Sequence, residues 1–348
     1  MIRMARALIG IPTFNRPHFV ISALRSVVAQ TFTDWRAIVS DNASASPTRD
    51  AIREFVAELG DPRVTFHQQE SNLGEYGQGR YFFRQAQDDG CEYLTILHDD
   101  DAMEPSFLES AVEALEKQPG MALFACNPYI MTADGVRSDD LTDGFDRRSR
   151  RTGVREGVID VLSTHMACGF TPISGAFFRV SALRDSGFVD EDLYGCVPFE
   201  NNIFVRLGER GAKAWFDPRR LLRFRSHSQQ MQKTDYLNNE DYVRLSIRLF
   251  ERRRFEGGNE RRRRQVLGRL YRIEALHKAR AGETAEARRR VASAIRANPT
   301  SVSTWLVAAA VYGAPILARG AARAWFDDGA STASRRQPPD DDSPGRRV

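Results

Sequence analysis

Residues 7–42, ALIGIPTFNRPHFVISALRSVVAQTFTDWRAIVSDN, predict a strand, a helix and a second strand in close succession. The segments 7–11 and 35–40 are short and mostly apolar, which is typical of strands buried in a parallel sheet. Between them, apolar residues recur at helical spacing from Val20 to Val28, after Pro17. A helix that connects two buried strands is the repeating unit of an α/β fold.

The same alternation continues outward to residue 126. Further strands are predicted at 64–67, 93–97 and 123–126, and further helices around 52–59, 81–86 and 108–115. We therefore predict an α/β fold with a Rossmann-like, mostly parallel central sheet flanked by helices. From residue 236 the composition becomes helical and rich in arginine, with a break at Gly282, which predicts a C-terminal helical appendage.

Composition bounds the class of protein. The 348 residues are 42% hydrophobic and 28% charged, which is typical of a soluble globular protein and excludes fibrous and multi-span membrane classes. The four cysteines are widely separated and form no CxxC pair, so neither a zinc knuckle nor a disulfide scaffold is indicated. Only residues 7–11 are apolar before Pro12, too few for a signal peptide. We expect a cytoplasmic protein.

Basic charge is concentrated in one segment. Residues 251–296 contain fifteen Arg or Lys and six Glu, a net charge of +9, so the rest of the chain carries −5. The predicted sheet is therefore not basic, and we expect no nucleic-acid partner. An uncharged run follows as far as Ala318, and we expect residues 251–318 to contact the inner face of the membrane or a lipid-linked acceptor. A solvated arginine face is the alternative.

Polar loops follow four of the predicted strands. They occupy residues 12–16, 41–44, 70–74 and 98–101. Because ligands of such sheets bind beyond the carboxyl ends of the strands, these loops are candidates for one binding crevice.

The loop His98-Asp99-Asp100-Asp101 is the most informative of the four. Three consecutive carboxylates directly after a buried strand repel one another, and a divalent cation such as Mn²⁺ or Mg²⁺ is a natural counter-charge. Alternate residues point the same way, so Asp99 with Asp101, or His98 with Asp100, could hold the ion. An acidic cap on the helix after Pro105 is the alternative.

Other nucleotide-binding signatures do not fit. The glycines at 74–79 follow the order GxxGxG after the third strand, unlike the dinucleotide fingerprint, and no GxxxxGK[ST] occurs. Neither HExxH nor GxSxG is present. Oxidoreductases, P-loop NTPases and serine hydrolases are therefore disfavoured.

Six segments together resemble glycosyltransferase family 2, whose members have the GT-A fold. They are the opening stretch quoted above, ESNLG, YLTILHDDDAMEP, SGAFFRVSALRDSGFVDEDL, FENNIFVRLGERG and LLRFRSHSQQM, in that order between Leu8 and about Met231. The resemblance implies inverting transfer of a sugar from a nucleotide diphosphate sugar, with a UDP-sugar favoured, to a hydroxyl of a glycan or lipid-linked acceptor. It also implies a role in bacterial surface polysaccharide or glycoconjugate synthesis.

The resemblance also implies roles for individual residues. The positions implied to bind the nucleotide sugar are Pro12, Thr13, Asn15, Arg16, Asp41, Asn72, Arg80 and Asp99. The motif His98–Asp101 resembles the family's DxD metal motif, with histidine where many members have the first aspartate. The implied metal ligands are Asp99, Asp100, Asp101 and His227.

The implied general base departs from the family pattern. Glu200 opens the acidic pair of the family, but the second member is Asn201, whose amide cannot accept a proton at neutral pH. We predict Glu200 as the base. The alternatives are Asp190, Glu191 or Asp192, or loss of activity. The predicted acceptor residues are Gly175, Ala176 and Asn201.

The sequence predicts three regions. A GT-A domain spans 1–235, with a nucleotide-sugar half at 1–126 and an acceptor half at 127–235, an arginine-rich helical region spans 236–330, and a disordered tail spans 331–348. Two alternative functions are a non-catalytic nucleotide-sugar binder, which Asn201 favours, and a nucleotidyltransferase. The latter would need a glycine- and lysine-rich first loop, which residues 12–15 lack.

Overall fold

Ten strands form the central sheet of the computed structural model, which describes residues 5–149, 151–168, 172–193, 199–227, 237–313 and 322. They are β1 (Ala7–Thr13), β2 (Trp35–Asp41), β3 (Val64–Gln68), β4 (Tyr93–Ile96), β5 (Ala102–Met103), β6 (Leu123–Met131), β7 (Arg137–Ser138), β8 (Gly157–Asp160), β9 (Ala176–Arg179) and β10 (Lys213–Arg225).

The first four strands are parallel and lie in the order β3-β2-β1-β4. Thr13 at the end of β1 is in register with Asp41 at the end of β2, so the loops that follow these strands begin side by side. The sheet then continues β9-β6-β10-β5, with β7 on β6 and β8 on β10. The prediction of an α/β fold with a mostly parallel central sheet is confirmed.

Strand β9 was not predicted as a strand. It lies between β4 and β6 and is antiparallel to both. Phe178 of β9 is in register with Leu94 of β4 and with Leu123 of β6. Both partners are more than fifty residues before it in sequence. A four-residue strand whose partners are so distant leaves no local pattern to recognise.

Helices cover both faces of the sheet. In this unit they are α1 (Pro17–Val28), α2 (Ser46–Leu59), α3 (Gly74–Asp88), α4 (Phe107–Lys117), α5 (Asp139–Arg148), α6 (Val161–Cys168), α7 (Val180–Ser186) and α8 (Phe199–Glu209). Successive strand residues enter opposite cores: Leu8 and Phe178 belong to one, Ile9 and Phe177 to the other. This is the period of two that a strand buried on both faces requires.

The chain forms two compact units, and the boundary lies between residues 227 and 228. The second contains α9 (Glu240–Glu251), α10 (Gly257–Ala281), α11 (Thr284–Ala297) and α12 (Val302–Gly313). The predicted break at Gly282 is confirmed, since this residue ends α10 with a φ of 85°. The exact boundaries predicted from the sequence stay a prediction, and the tail 331–348 lies outside the described residues.

The uncharged run after Arg296 forms α12 in its middle, whereas residues 314–318 are outside the described part. Within the described residues, none of the helices combines the length and the apolar composition needed to cross a bilayer.

The backbone of β1 approaches Phe82 of α3 very closely at Gly10. A Cβ at Gly10 would lie 2.4 Å from the Phe82 ring. We expect Gly10→Ala to lower the free energy of unfolding by about 1–3 kcal/mol through overpacking, measured by urea denaturation. Gly120→Ala is the control, because no atom lies within 4 Å of its Cβ position. Equal midpoints for the two variants would contradict this packing.

Candidate active site

The loops after β1, β2 and β4 are joined by hydrogen bonds at their first residues. The Thr13 hydroxyl donates to Oδ2 of Asp99 at 2.8 Å, and the backbone N–H of Asn15 donates to Oγ of Ser44 at 2.8 Å. The Asn15 side chain accepts from the N–H of Ala45 at 2.9 Å. Asn15 has a φ of 57°, a left-handed conformation that asparagine tolerates. Its side chain therefore organises the crevice wall.

The loop after β3 joins the same edge through Asn42. The Asn42 side chain donates to Oδ1 of Asn72 at 2.9 Å and accepts from the N–H of Leu73 at 2.8 Å and from Gln78 at 3.0 Å. Oδ1 of Asn72 also accepts from the N–H of Gly74. All four polar loops thus meet at one edge, as the sequence predicts.

Asp41 holds an unsatisfied acceptor at this edge. Its side chain is fully buried, and Oδ2 accepts from the N–H of Ser44 at 3.1 Å. Oδ1 is also buried, and no donor of the described residues reaches it. A buried acceptor without a donor is costly, so this atom favours a ligand that brings an N–H or O–H. Pro12, half-buried beside it in β1, has no N–H to offer.

Asp99 is the first of the three buried carboxylates. Oδ1 forms an ion pair with Arg16 at 2.8 Å, and Oδ2 accepts from Thr13. Burial raises the pKa of Asp99 to about 7, against the opposing charge of Arg16 and with the help of repulsion from Asp100. Asp99 is therefore partly protonated near neutral pH.

Asp100 has the opposite character. Although burial opposes ionisation, the hydrogen bond from His227 and the charges of His98 and Arg16 lower the pKa of Asp100 to about 2. Its Oδ2 lies 2.9 Å from Nε2 of His227 and 3.2 Å from Nη1 of Arg16. The His227 ring packs on Phe19, with 4.7 Å between ring centres, and is buried. Asp100 is thus a permanently charged carboxylate.

Asp101 is enclosed by segments that are distant in sequence. The Ser174 hydroxyl donates to Oδ2 at 2.7 Å, and the backbone N–H of Arg225 donates to Oδ1 at 3.0 Å. Burial, with repulsion from Asp100, raises the pKa of Asp101 well above its usual range. Ser174 also accepts from the N–H of His98 at 3.1 Å. Neither Ser174 nor Arg225 was predicted as a site residue.

One group of donor atoms here could hold a metal ion. Within the described residues, one ligand atom each from His98, Asp100 and Asp101 lies within 4.8 Å of the other two. Asp99 and His227, which were also predicted as ligands, do not belong to this group, and their predicted role stays untested. The grouped carboxylates suit a hard divalent cation.

A second group shares His98. Donor atoms of Glu75, His98 and Glu200 also lie within 4.8 Å of one another. Glu200 is in the first turn of α8 and Glu75 in the first turn of α3. Burial raises the pKa of both carboxyls, and repulsion from Glu200 adds to the effect on Glu75. Glu75 was missed by sequence reasoning, although it stands inside the glycine-rich segment that follows β3.

The glycosyl transferase family 2 model matches residues 8–183, from β1 into α7, a range that includes Glu75 and His98–Asp101 and ends before Glu200. The chain belongs to this family.

Curated relatives of this family 2 enzyme match only in part. Putative colanic acid biosynthesis glycosyl transferase WcaA of Escherichia coli (strain K12) is 30% identical over 122 residues, 35% of this chain and 42% of WcaA. GalNAc(5)-diNAcBac-PP-undecaprenol beta-1,3-glucosyltransferase of Campylobacter jejuni is 29% identical over 195 residues, 55% of this chain and 57% of that protein. The chain thus matches less than two thirds of the length of either relative.

Solved structures share the fold at low identity. S. aureus TarS 1–349 in complex with UDP-GlcNAc has a TM-score of 0.58 and 13% identity, over 95% of this chain and 90% of that one. Mannosyltransferase PcManGT from Pyrobaculum calidifontis, in complex with GDP-Man and Mn²⁺, has a TM-score of 0.54 and 15% identity, over 97% and 89%. At this identity the likeness establishes the fold of the glycosyltransferase.

Two of the three alternative bases of the glycosyltransferase form ion pairs with arginines. Asp190 pairs with Arg206 at 2.6 Å. Glu191 pairs with Arg80, so the guanidinium predicted to meet the diphosphate has a protein partner in this structure. Asp192 lies in the same short 3-10 turn as Glu191. Glu200 is the member of this set that stands beside the acidic loop.

The three predicted acceptor residues differ in burial. Gly175 ends a 3-10 turn and Ala176 begins β9, and both are buried; the Ala176 carbonyl accepts from the Thr95 hydroxyl at 2.9 Å. Their burial argues against direct contact with an acceptor, which stays a prediction. Asn201 is partly exposed beside Glu200 in α8.

The protonation pattern predicts how a metal binds. Asp99 keeps its proton up to a pKa of about 7, against about 4 when unfolded, so its contribution to stability without metal falls as pH rises from about 4 to about 7; the raised pKa of Asp101 acts in the same direction. A cation must displace the Asp101 proton, so its affinity rises with pH. At a concentration about 100 times the Kd at pH 8, we expect Mn²⁺ to contribute about 2.7 kcal/mol, and the same concentration should cause a smaller shift in Tm at pH 6.

Two variants separate the candidate ligands. Asp100→Asn should abolish the shift in Tm that Mn²⁺ causes, whereas Asp99→Asn, outside the ligand group, should keep it. The reverse result would assign the ion to Asp99.

Proposed function

We propose that this enzyme transfers a sugar from a nucleotide diphosphate sugar to an acceptor hydroxyl with inversion, using Glu200 as the general base. The observation that carries the proposal is the shared position of His98, whose ring belongs both to the group with Asp100 and Asp101 and to the group with Glu75 and Glu200. A candidate cation site and a candidate base thus flank one small space. An inverting displacement needs the base on one side of the sugar and the departing diphosphate on the other.

The donor half, residues 1–126, supplies the nucleotide site in this proposal. The unsatisfied Oδ1 of Asp41 would accept a hydrogen bond from the N–H of a base such as uracil. Arg16 stands beside Asp99 and Asp100, where its guanidinium can also meet diphosphate oxygens. We favour a UDP-sugar because a structure similar over 95% of this chain is a complex with UDP-GlcNAc.

Asp100 and Asp101 would hold a divalent cation, Mn²⁺ or Mg²⁺. Bound there, the ion would offset the charge that develops on the leaving diphosphate. Asp100 is already ionised, and His227 fixes its Oδ2 through a 2.9 Å contact. Ser174 and the backbone of Arg225 orient Asp101. A mannosyltransferase of similar fold is a complex with Mn²⁺, which supports this cofactor.

Glu200 would take the proton of the acceptor hydroxyl as that oxygen attacks. Its raised pKa makes it a stronger base than an ordinary carboxylate. Asn201 cannot share this task, and we assign it with residues 127–235 to the acceptor half. Names of relatives that refer to colanic acid and to an undecaprenol-linked glycan support a glycan or lipid-linked acceptor in surface polysaccharide or glycoconjugate synthesis.

The second candidate function is a nucleotide-sugar binder without activity. Asn201 at the second position of the family's acidic pair is the observation that favours it. The two functions differ in turnover and share donor binding.

Replacing the base tests the proposal. We expect Glu200→Gln to lower kcat by about 10²–10⁴-fold with little change in donor Kd, measured as UDP release from UDP-sugars with Mn²⁺ and a glycan acceptor. Glu209→Gln, in the last turn of the same helix, is the matched control and should retain activity. Glu191→Gln tests the alternative base. Full turnover by Glu200→Gln would refute the assignment, and donor binding without any turnover by the wild type would support the binder.

The pH profile tests the contact between Glu75 and Glu200. Glu200 must be ionised to act, so activity should rise with pH through a pKa above the usual carboxylate range. Repulsion from Glu200 falls on Glu75, whose pKa is raised well above its usual range, so Glu75 is still protonated when Glu200 ionises. Glu75→Gln should therefore leave the acid limb of kcat/KM in place. A limb moved to lower pH by Glu75→Gln would contradict this order of ionisation.

A further inference from the structure

Helix α12 of the second unit is apolar on two faces. Thr304, Ala308 and Val311 are buried against the rest of the unit. The opposite face follows the spacing i, i+3, i+4, i+7 and is exposed. Its large side chains are Val302, Trp305, Leu306 and Tyr312.

This exposed face is unusual in the described part of the protein. Eight large hydrophobic side chains are exposed there, and half of them are on this one helix. Leu306 is 68% exposed and Trp305 is 52% exposed. The Trp305 indole N–H donates to the carbonyl of Pro299 at 2.8 Å, so the polar edge of the ring is satisfied while much of its surface stays open. An apolar face of this kind marks an interaction surface.

Three arginines of α10 have no acidic partner among the described residues, and one of them contacts α12. Nη1 of Arg272 donates to the hydroxyl of Ser303. Arg269 precedes Arg272 by one turn of α10, and Arg264 donates to the carbonyl of Arg296 at 2.9 Å. Among the described residues, no carboxylate pairs with Arg264, Arg269 or Arg272.

Several other basic side chains of the same unit are paired. Arg263 pairs with Glu260 at 2.6 Å, Lys278 pairs with Glu240 at 2.7 Å, and Arg289 pairs with Glu286. Arg272, which contacts α12, therefore carries positive charge that no described carboxylate offsets.

We propose that this surface docks the protein on an anionic membrane. We call it the α12 surface and define it by Val302, Trp305, Leu306, Arg264, Arg269 and Arg272. The apolar side chains would enter the boundary between headgroups and acyl chains, and the guanidinium groups would meet lipid phosphates. Tryptophan is suited to that boundary because its ring is apolar and its N–H is polar.

Charge argues against a second copy of the chain as the occupant. A symmetric dimer through the α12 surface would oppose the same patch to itself and bring its arginines together. Lipid phosphates carry the complementary charge. The proposal is independent of the donor chemistry proposed for the first unit.

Co-sedimentation of the full-length protein with vesicles tests the proposal. We expect binding to phosphatidylcholine vesicles that contain phosphatidylglycerol, weak binding to pure phosphatidylcholine, and loss of binding as salt rises. Arg269→Gln should weaken binding to the anionic vesicles about fivefold. Arg289→Gln, which removes an exposed arginine that is already paired, is the matched control and should have little effect.

The apolar contribution has its own pair of variants. Val302→Ser should weaken binding about threefold or more, whereas Val136→Ser, at an exposed valine of the first unit, should not. Circular dichroism and urea denaturation check that each variant is folded. Equal binding to neutral and anionic vesicles, no binding by the wild type, or no effect of Arg269→Gln and Val302→Ser would overturn the proposal. A change of oligomeric mass in Val302→Ser, with vesicle binding intact, would assign the face to a second copy instead.

Discussion

The burial of three consecutive carboxylates, Asp99–Asp101, at the end of β4 is the constraint on which the surrounding structure depends. Charge in a low-dielectric interior is unfavourable unless it is paired or neutralised by a proton. The protein uses both solutions. Asp99 is met by Thr13 and Arg16, whereas Asp101 is enclosed by neutral donors and favours its protonated form. The loop after β1, the turn before β9 and the end of β10 converge here because each supplies a partner to this segment.

The three carboxylates differ in pKa because their environments differ. The pKa of Asp100 is lowered, whereas the pKa values of Asp99 and Asp101 are raised, so that Asp101 in the candidate ligand group holds a proton that a cation would displace. On the other side of His98, Glu75 and Glu200 repel each other and have raised pKa values. The candidate cation site and the candidate base thus differ in protonation because their environments differ, although the groups are chemically similar.

Much of the first unit could be predicted from local pattern. The strand predicted at 7–11 extends to Thr13, and the strand predicted at 35–40 ends at Asp41, because continuous apolar runs and helical spacing are properties of neighbouring residues. The long strand β10 was not anticipated, since the middle of the chain contains glycine, proline and aromatic clusters. The family resemblance predicted the roles of Glu200 and Asp41. The position of Glu200 near His98 and the buried Oδ1 of Asp41 are consistent with these predictions.

The sequence by itself determined the fold class, the order of the polar loops, the family and the concentration of arginine after residue 250. Each of these is carried by residue types and spacing along the chain. Only the tertiary structure decided that Ser174 and Arg225 support Asp101, that Glu75 lies near Glu200, and that α12 exposes an apolar face and contacts Arg272. These contacts join residues far apart in sequence, and their energies depend on burial and distance, which exist only once the chain has folded.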